Sequence, residues 1–226
     1  MTGKVGLVIV AAGSSARMRG VDKIWEKLGD RPVLWYSLSR LAPGAAECVV
    51  VVRAESLRRA RDELEAQFPR TSVVAGGETR QKSVQRGLNA LGDVEIVGVH
   101  DAARPFASAE LLAAGKELLD RCDGAIPVVP IADTIKEVGS DEILLGTIDR
   151  ARLRAVQTPQ LFRADALRAA HAEARARPGG ATDDATLLEE SGYTVRAFAG
   201  EAQNFKITTA YDLRIARIIV ESSTPA

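Results

Sequence analysis

Short apolar runs alternate with amphipathic stretches through the first half of the chain. The runs are almost continuously apolar, which predicts strands that are covered on both faces of a sheet. Five such strands are predicted, at Val5–Val10, Cys48–Val52, Ser72–Val74, Glu95–His100 and Ala125–Val129. Helical patterns lie between them, at Val33–Leu41, Ser56–Phe68, Lys82–Leu91 and Ala109–Leu119. Strands that alternate with helices predict a three-layer α/β fold with a mostly parallel sheet and helices on both faces.

This alternation ends after Val129. Two extended stretches, Thr134–Val138 and Leu144–Ile148, flank a turn and predict a projecting β-hairpin arm at about 131–157. The remaining predicted elements are the helices Ala164–Ala176, Asp183–Ser191 and Ala210–Glu221 and the strands Thr194–Phe198 and Asn204–Ile207. We therefore expect one domain over residues 1–226, with a Rossmann-like sheet and a β-arm.

The charge balance and the few cysteines exclude several classes of ligand. The 226 residues include 30 Lys+Arg and 30 Asp+Glu, so the formal net charge is zero and bulk binding to nucleic acid or to an acidic membrane is not indicated. An anionic ligand therefore needs a local cluster of cations. Cys48 and Cys122 lack a second Cys or His at metal-ligand spacing, so both are expected to be buried apolar residues. The chain shows no membrane-length apolar run and no signal-like segment, which favours a cytoplasmic location.

A small-residue loop, Ala11–Met18, directly follows the first predicted strand. Ligands bind beyond the carboxyl ends of strands in open α/β sheets, and small residues let backbone amides approach a phosphate. Arg17 and Lys23 lie downstream and can neutralise phosphate oxygens. The dinucleotide fingerprint is absent, and Gly76–Ser83 misses the P-loop pattern by Gln81 in place of glycine. By itself the loop fits a phosphate cradle and a plain turn about equally well.

The loop followed by Asp22-Lys23 resembles the signature of the sugar-nucleotide and polyol-phosphate nucleotidyltransferases. Further stretches resemble, in order and over nearly the whole chain, the 2-C-methyl-D-erythritol 4-phosphate cytidylyltransferase family of the non-mevalonate isoprenoid pathway. They are Gly76–Arg80 with Ser83, His100–Pro105, Asp133–Lys136, Gln157–Gln160, Thr182–Asp184 and Asn204–Thr208.

The resemblance implies a particular reaction: a phosphate oxygen of the acceptor attacks the α-phosphorus of CTP and expels pyrophosphate, with Mg²⁺ as cofactor. A phosphate monoester has its second pKa near ~6, so the nucleophile is largely ionised at neutral pH and needs no general base. The difficulty is to bring two anions together, which phosphoryl-transfer sites achieve with fixed cations, positioning and Mg²⁺. The catalytic residues implied are Arg17 and Lys23 at the α-phosphate and Arg150 and Lys206 at the acceptor phosphate.

The resemblance also implies the other site residues. Those expected to bind the nucleotide are Ala11, Ala12, Gly13, Ser14, Ser15, Gly77, Glu78, Arg80, Ser83, Asp101 and Ala102, with Asp101 also as the metal ligand. Those expected to bind the acceptor are Arg104, Thr134, Arg150, Thr158, Thr182 and Lys206; Arg104 could instead pair with Asp101. Ser15 and Ile24 stand where family members commonly have glycine and glutamine. The arm implies a homodimer, since a lone two-stranded ribbon is marginal.

Two other functions fit the same motifs. A ribitol-5-phosphate cytidylyltransferase shares them and differs in its acceptor pocket. A non-catalytic nucleotide-binding regulator would need no second basic pair, so Arg150 and Lys206 argue against it. Taken singly, these residues also have structural interpretations: Asp101 as a cap, Arg150 as a solvated arm residue and Lys206 as an exposed cation.

Overall fold

The computed structural model describes residues 3–13, 22–174 and 183–223. In this part of the chain, eight strands form one sheet and two short hairpins lie apart from it. The strands are β1 (Val5–Ala11), β2 (Lys27–Leu28), β3 (Arg31–Pro32), β4 (Glu47–Val52), β5 (Thr71–Ala75), β6 (Ile96–Asp101), β7 (Gly124–Pro130), β8 (Ile135–Val138), β9 (Leu144–Ile148), β10 (Arg154–Val156), β11 (Gln160–Arg163) and β12 (Val195–Ala199). The helices are α1 (Val33–Leu41), α2 (Leu57–Leu64), α3 (Arg80–Ala90), α4 (Ala109–Leu118), α5 (Ala164–Ala174), α6 (Asp184–Glu190) and α7 (Ala210–Ser223).

The main sheet has the order β10-β7-β11-β6-β1-β4-β5, and β12 also pairs with β7. The pairs of β1 with β4 and β6, of β4 with β5 and of β7 with β12 are parallel. Strand β11 is antiparallel to both β6 and β7 and lies between them, and β10 is antiparallel to β7. The predicted α/β class with a mostly parallel sheet is thus confirmed.

Helices cover both faces of the sheet. Leu7 and Ile9 of β1 pack in one apolar cluster, which includes residues of α1, α2 and α4. Val8 points to the opposite face, into a cluster with residues of α3, α5 and α6. Consecutive residues of β1 are therefore buried on opposite faces of the sheet. This explains why the strands have continuous apolar runs instead of an alternating pattern.

The strands differ from the sequence-based prediction in two places. Residues 204–207 are not a strand but an irregular segment, whose Ile207 amide donates a single hydrogen bond to the Ala103 carbonyl at 2.8 Å. The apolar side chains of this segment instead belong to a small cluster, in which Ile207 packs with Phe106 and Phe205. Conversely, β10 and β11 were missed, because a strand as short as Gln160–Arg163 carries little pattern of its own. The other main-sheet strands and the helices lie where predicted, apart from shifts at their ends.

The arm is a separate antiparallel hairpin of β8 and β9. Its turn contains Glu142, which has a φ of 63° in the left-handed region. Ile143, Leu144 and Leu145 are at least 60% exposed, unlike any core residue. The two cysteines are buried as expected, and burial raises the pKa of Cys48 to about 12. Among the described helices, none is long and apolar enough to cross a bilayer.

Candidate active site

Three loops meet at the carboxyl edge of the main sheet, after β1, β5 and β6. Between them lies a cavity of about 440 Å³, within the size range of ligand pockets in proteins. We call it the first cavity. Its lining residues are Val10, Ala11, Ala12, Gly13, Lys23, Ile24, Gly77, Glu78, Thr79, Arg80, Ser83, Asp101, Ala103 and Lys206. The position is the one expected for a ligand site in an open α/β sheet.

Two glycines allow the loop after β5 to lie close to its neighbours. A Cβ on Gly76 would lie 2.5 Å from the Cβ of Ala12, and a Cβ on Gly77 would lie 2.5 Å from that of Lys82. Carbon atoms in contact are about 3.5–4.0 Å apart, so neither position accepts a side chain without a shift. The buried hydroxyl of Ser83 accepts a hydrogen bond from the Gly77 amide at 3.1 Å and so holds the loop on α3.

The carboxylate of Asp101, at the end of β6, lies between two cations. Lys206 Nζ is 2.6 Å from its Oδ2, and Arg80 Nε is 3.3 Å from its Oδ1. Burial opposes ionisation, but Arg80 and Lys206 hold the pKa of Asp101 well below its usual range. Asp101 is therefore ionised at neutral pH. We call Arg80, Asp101 and Lys206 the central ion cluster.

A second cavity of about 280 Å³ adjoins this cluster. Its lining residues are Arg80, Asp101, Arg104, Val156, Gln157, Thr158, Gln160, Asp183 and Lys206. All three members of the central ion cluster line both cavities. Two anions, one in each cavity, would consequently face each other across the same pair of cations.

A hydrogen-bonded chain fixes the turn that carries Asp101. The Asp101 amide donates to Thr158 Oγ1 at 3.0 Å, and His100 Nδ1 lies 3.1 Å from the same oxygen. His100 Nε2 lies 3.1 Å from the Arg104 carbonyl oxygen, which can only accept, so Nε2 carries the proton. Burial lowers the pKa of His100 to about 4, so the ring is neutral at pH 7 and Nδ1 accepts from the Thr158 hydroxyl. Thr158 thus holds the backbone of Asp101 and also lines the second cavity.

Arg104 and Lys23 are held by backbone carbonyls. Arg104 donates to the carbonyl of Asn204 at 2.8 Å and to that of Val156 at 3.1 Å. The anticipated alternative, an ion pair with Asp101, is not among its contacts in the described residues. Lys23 Nζ donates to the Ile207 carbonyl at 2.8 Å. The irregular segment at 204–207 therefore holds a cation of each cavity through its carbonyl oxygens.

The structure brings most of the predicted residues together. Ala11, Ala12, Gly13, Lys23, Gly77, Glu78 and Ser83 line the first cavity, Arg104 and Thr158 line the second, and Arg80, Asp101 and Lys206 line both. Ile24, where the resemblance led us to expect glutamine, forms a buried apolar part of the first cavity's wall. Ser14, Ser15, Arg17 and Thr182 lie outside the described residues.

Three predicted residues lie elsewhere. Ala102 is fully buried, its amide donates to the Val10 carbonyl and its carbonyl accepts from Ser37, so its position does not support a nucleotide contact. Thr134 and Arg150 are exposed on the arm side of the molecule and line neither cavity, and Arg150 donates to the Ala132 carbonyl. Within one chain, Arg150 and Lys206 therefore do not form the expected pair.

Other residues of the site were missed. Asp183 and Gln160 line the second cavity and share a hydrogen bond of 2.8 Å. Asp184 accepts a hydrogen bond from Arg80, and His171 contacts the same carboxylate. The motifs containing Gln160 and the two aspartates were visible in the sequence, but their partners are too distant along the chain for any local pattern to assign roles.

The described residues contain no group of three or more His, Cys, Asp or Glu side chains that could hold a metal ion by themselves. Among the described residues, Asp101 is the carboxylate that borders both cavities, and it is ionised. Mg²⁺ usually binds through one or two carboxylates together with substrate phosphates and water. The residues present therefore fit a Mg²⁺ ion that binds with a triphosphate, and do not form a preformed cage.

Two adjoining cavities with shared cations, at the carboxyl edge of an α/β sheet, are the features of a nucleotidyltransferase. Comparison with known proteins identifies the kind. Residues 5–222 match the family model of 2-C-methyl-D-erythritol 4-phosphate cytidylyltransferase, and the chain belongs to this family. The family predicted from the sequence motifs is thus confirmed.

Individual relatives agree with this assignment. A 2-C-methyl-D-erythritol 4-phosphate cytidylyltransferase of Dehalococcoides mccartyi is 41% identical over 223 residues, which cover 96% of each chain. The crystal structure of the Thermus thermophilus enzyme of the same name has a TM-score of 0.82 at 36% identity and covers 96% of this chain and 99% of its own. A 4-diphosphocytidyl-2C-methyl-D-erythritol synthase from Anaerococcus prevotii has a TM-score of 0.85 at 30% identity, covering 96% and 98% of the two chains.

Proposed function

We propose that this chain carries out the reaction of its family, the transfer of CMP from CTP to 2-C-methyl-D-erythritol 4-phosphate with release of pyrophosphate, in non-mevalonate isoprenoid precursor biosynthesis. The observation that carries the proposal is the central ion cluster, because its two cations line both cavities. In the proposed arrangement CTP occupies the first cavity and the acceptor phosphate occupies the second.

The chemistry required is an attack of one phosphate on another. An acceptor phosphate oxygen forms a bond to the α-phosphorus of CTP, and the bond from that phosphorus to the β-phosphate bridging oxygen breaks. The acceptor is already ionised, so the protein must mainly offset repulsion and hold both groups in line. Lys23 faces the first cavity, where it would stabilise charge at the α-phosphate, and Arg17 is proposed to act there with it. Lys206 and Arg104 would hold the acceptor phosphate from the second cavity.

Recognition of cytosine is proposed for the backbone around Ala11, Ala12 and Gly77. Cytosine offers an amino donor and carbonyl acceptors, which backbone groups can match. The close packing at Gly76 and Gly77 supports this role because it sets the distance between the two loops. Ser14 and Ser15 are proposed to continue the phosphate-binding loop. Ser83 acts indirectly, since its hydroxyl holds the Gly77 amide.

Mg²⁺ is the proposed cofactor, with Asp101 as its protein ligand. When bound with the triphosphate, the ion would neutralise phosphate charge. Asp101 already uses both oxygens in ion pairs with Arg80 and Lys206, so it would share its charge between these cations and the metal. Removal of the metal with EDTA should abolish pyrophosphate release, and added Mg²⁺ should restore it.

A homodimer formed through the arm is also proposed. Support comes from its exposed apolar residues, among them Ile143, Leu144 and Leu145, since a two-stranded ribbon is marginal unless it packs against something. Arg150 and Thr134 lie on the same segment and line neither cavity of their own chain. They are proposed to complete the acceptor cavity of the partner chain, with Thr182 as a further acceptor contact. The cytoplasmic location and the single-domain organisation remain predictions.

The test is a grid of nucleotides and acceptors assayed for pyrophosphate release. We expect release with CTP and 2-C-methyl-D-erythritol 4-phosphate, and little with ATP, UTP or ribitol 5-phosphate. Release with ribitol 5-phosphate at a comparable rate would support the alternative acceptor. Binding of CTP without release for any acceptor would contradict the enzymatic proposal and favour a regulatory nucleotide-binding protein.

A further inference from the structure

Buried polar groups continue inwards from the central ion cluster, away from both cavities. Asp184 Oδ2 accepts a hydrogen bond from Arg80 Nη1 at 2.7 Å, and His171 Nε2 lies 3.0 Å from Asp184 Oδ1. The side chains of Asp184 and His171 are 1% and 0% exposed. Neither residue lines a cavity. Asp184 nevertheless contacts Arg80, which lines both cavities, and His171 contacts Asp184.

The three residues come from three different helices. Arg80 is the first residue of α3, Asp184 is the first residue of α6, and His171 lies in α5. Arg80 and Asp184 are separated by 104 positions in the sequence. Because each side chain is anchored in a helix that packs on the same face of the sheet, the contacts fix Arg80 relative to the whole layer.

The hydrogen bonds of Arg80 leave part of its guanidinium available to a ligand. A guanidinium has five N–H donors in a rigid planar fork. In the described residues, Nε donates to Asp101 at 3.3 Å and Nη1 donates to Asp184 at 2.7 Å. These two contacts orient the group, and the Arg80 side chain, which is 24% exposed, lines both cavities.

Asp184 is ionised and depends on its neighbours for this. Burial opposes the charged form, while Arg80 and the hydrogen bond from His171 lower the pKa of Asp184. Since a carboxylate only accepts, His171 Nε2 must donate, whatever the state of the other ring nitrogen. His171 therefore holds one oxygen of the carboxylate while Arg80 binds the other.

We propose that Asp184 and His171 are positioning residues for cytidylyl transfer and act through Arg80. Asp184 orients the guanidinium so that its remaining donors face the substrate phosphates, and His171 orients Asp184. The inference rests on the proposed function, because it requires that Arg80 meets phosphates in the two cavities. Neither residue touches a substrate in this arrangement.

A double-mutant cycle tests the proposal. The proteins are the wild type, Arg80→Gln, Asp184→Asn and the double variant, each assayed for kcat/KM and, separately, for CTP affinity by calorimetry. If Asp184 acts through Arg80, Asp184→Asn alone lowers kcat/KM by about tenfold or more, but adds nothing once Arg80 is replaced, as expected for residues in one network. Thermal unfolding is measured for all four. The double variant should be more stable than Arg80→Gln, since the single change leaves a buried carboxylate without its cation.

A purely structural role gives a different result. Asp184→Asn would then lower the folded fraction, and its effects on kcat/KM per folded molecule would vanish or would add to those of Arg80→Gln. Either outcome in an active wild type overturns the inference and leaves the proposed function intact. A wild type without pyrophosphate release refutes the proposed function instead, and the same cycle in CTP affinity then still decides whether Asp184 acts through Arg80.

Variants of His171 give an independent readout. His171→Gln keeps an N–H donor near the position of Nε2, whereas His171→Met fills a similar volume without a donor. We expect kcat/KM of the glutamine variant to stay within about threefold of wild type and that of the methionine variant to fall by about tenfold, a scale typical of one hydrogen bond to a charged group. Equal activities of the two variants would overturn the role of His171. Asp123→Asn is the matched control, because that carboxylate accepts from the Thr194 amide at the opposite edge of the sheet and should leave activity unchanged.

Discussion

The substitution Gly76→Ala tests whether the close approach of two loops sets the geometry of the first cavity. Gly76 lies between β5 and the loop that contributes Gly77 and Glu78 to the cavity. A Cβ at this position would lie 2.5 Å from the Cβ of Ala12, 2.8 Å from Ser83 Oγ and 3.2 Å from a methyl of Val51. The added carbon therefore meets the end of β1, the first turn of α3 and a core side chain of β4 at once.

The expected cost follows from these distances. Carbon atoms pack at about 3.5–4.0 Å, so the contact with Ala12 is short by about 1 Å. Overpacking of this kind typically costs about 1–3 kcal/mol of folding free energy. For a chain of this length that corresponds to a decrease in Tm of about 2–12 °C. Because Ala12 also lines the cavity, relief of the clash moves the nucleotide-binding loops apart, and a displacement of about 1 Å can cost about 10²-fold in rate.

Two assays decide the matter. Thermal unfolding by circular dichroism gives the change in Tm, and pyrophosphate release at varied CTP gives kcat/KM for the nucleotide. Gly92→Ala is the matched control, since a Cβ on Gly92 would meet only the movable carboxylate end of Glu47, at 3.1 Å, and Gly92 lines neither cavity. A Gly76→Ala protein with the Tm and the kcat/KM of the control would refute the reasoning that this contact sets the cavity.

Three further outcomes are expected. Lys23→Ala should lower turnover by about 10²–10³ while changing CTP affinity less, with Lys27→Ala as an unaffected control; near-normal turnover would contradict a role at the α-phosphate. Burial lowers the pKa of His100 from its ordinary 6.5 to about 4, so between these pH values only the unfolded chain binds the proton. The free energy of unfolding is therefore fully present above pH 6.5 and falls by about 3 kcal/mol as the pH approaches 4. Denaturant unfolding should show this slope weakened in His100→Gln, and an unchanged slope would reject the assignment. Leu145→Asp should give a monomeric mass by sedimentation at micromolar concentration, whereas Ser140→Asp should remain dimeric.

The parallel core of the fold was predictable because burial on both faces leaves a strong local signal. Val49 and Val50 of β4, for example, enter different apolar clusters on opposite faces of the sheet. Strand β11 left no such signal, because its place between β6 and β7 depends on pairings with residues far away in sequence. The segment at 204–207 was wrongly predicted as a strand, since its apolar side chains fill a local cluster although its backbone does not pair with the sheet.

The residues of the candidate site likewise fall into those that local patterns could predict and those that depend on long-range packing. Residues at the ends of β1, β5 and β6 could be placed together, because parallel strands bring their carboxyl ends to one edge. The arm residue Arg150 could be identified by resemblance, but it lines neither cavity of its own chain, and a role at the acceptor requires the proposed dimer. Asp184 and His171 could not be assigned a role at all. Their contact with Arg80 arises only when α3, α5 and α6 pack on one face of the sheet.

The central ion cluster explains how a site for two anions can be stable before either arrives. Arg80 and Lys206 would repel each other across the wall of the cavities, and Asp101 offsets this because it binds both. Asp184 offsets the remaining charge of Arg80 from the buried side. Both cations are therefore held by carboxylates before a ligand binds, beside both cavities, and would need little reorganisation during the proposed transfer. Preorganised cations of this kind stabilise a transition state more than mobile ones, because no ordering has to occur during the reaction.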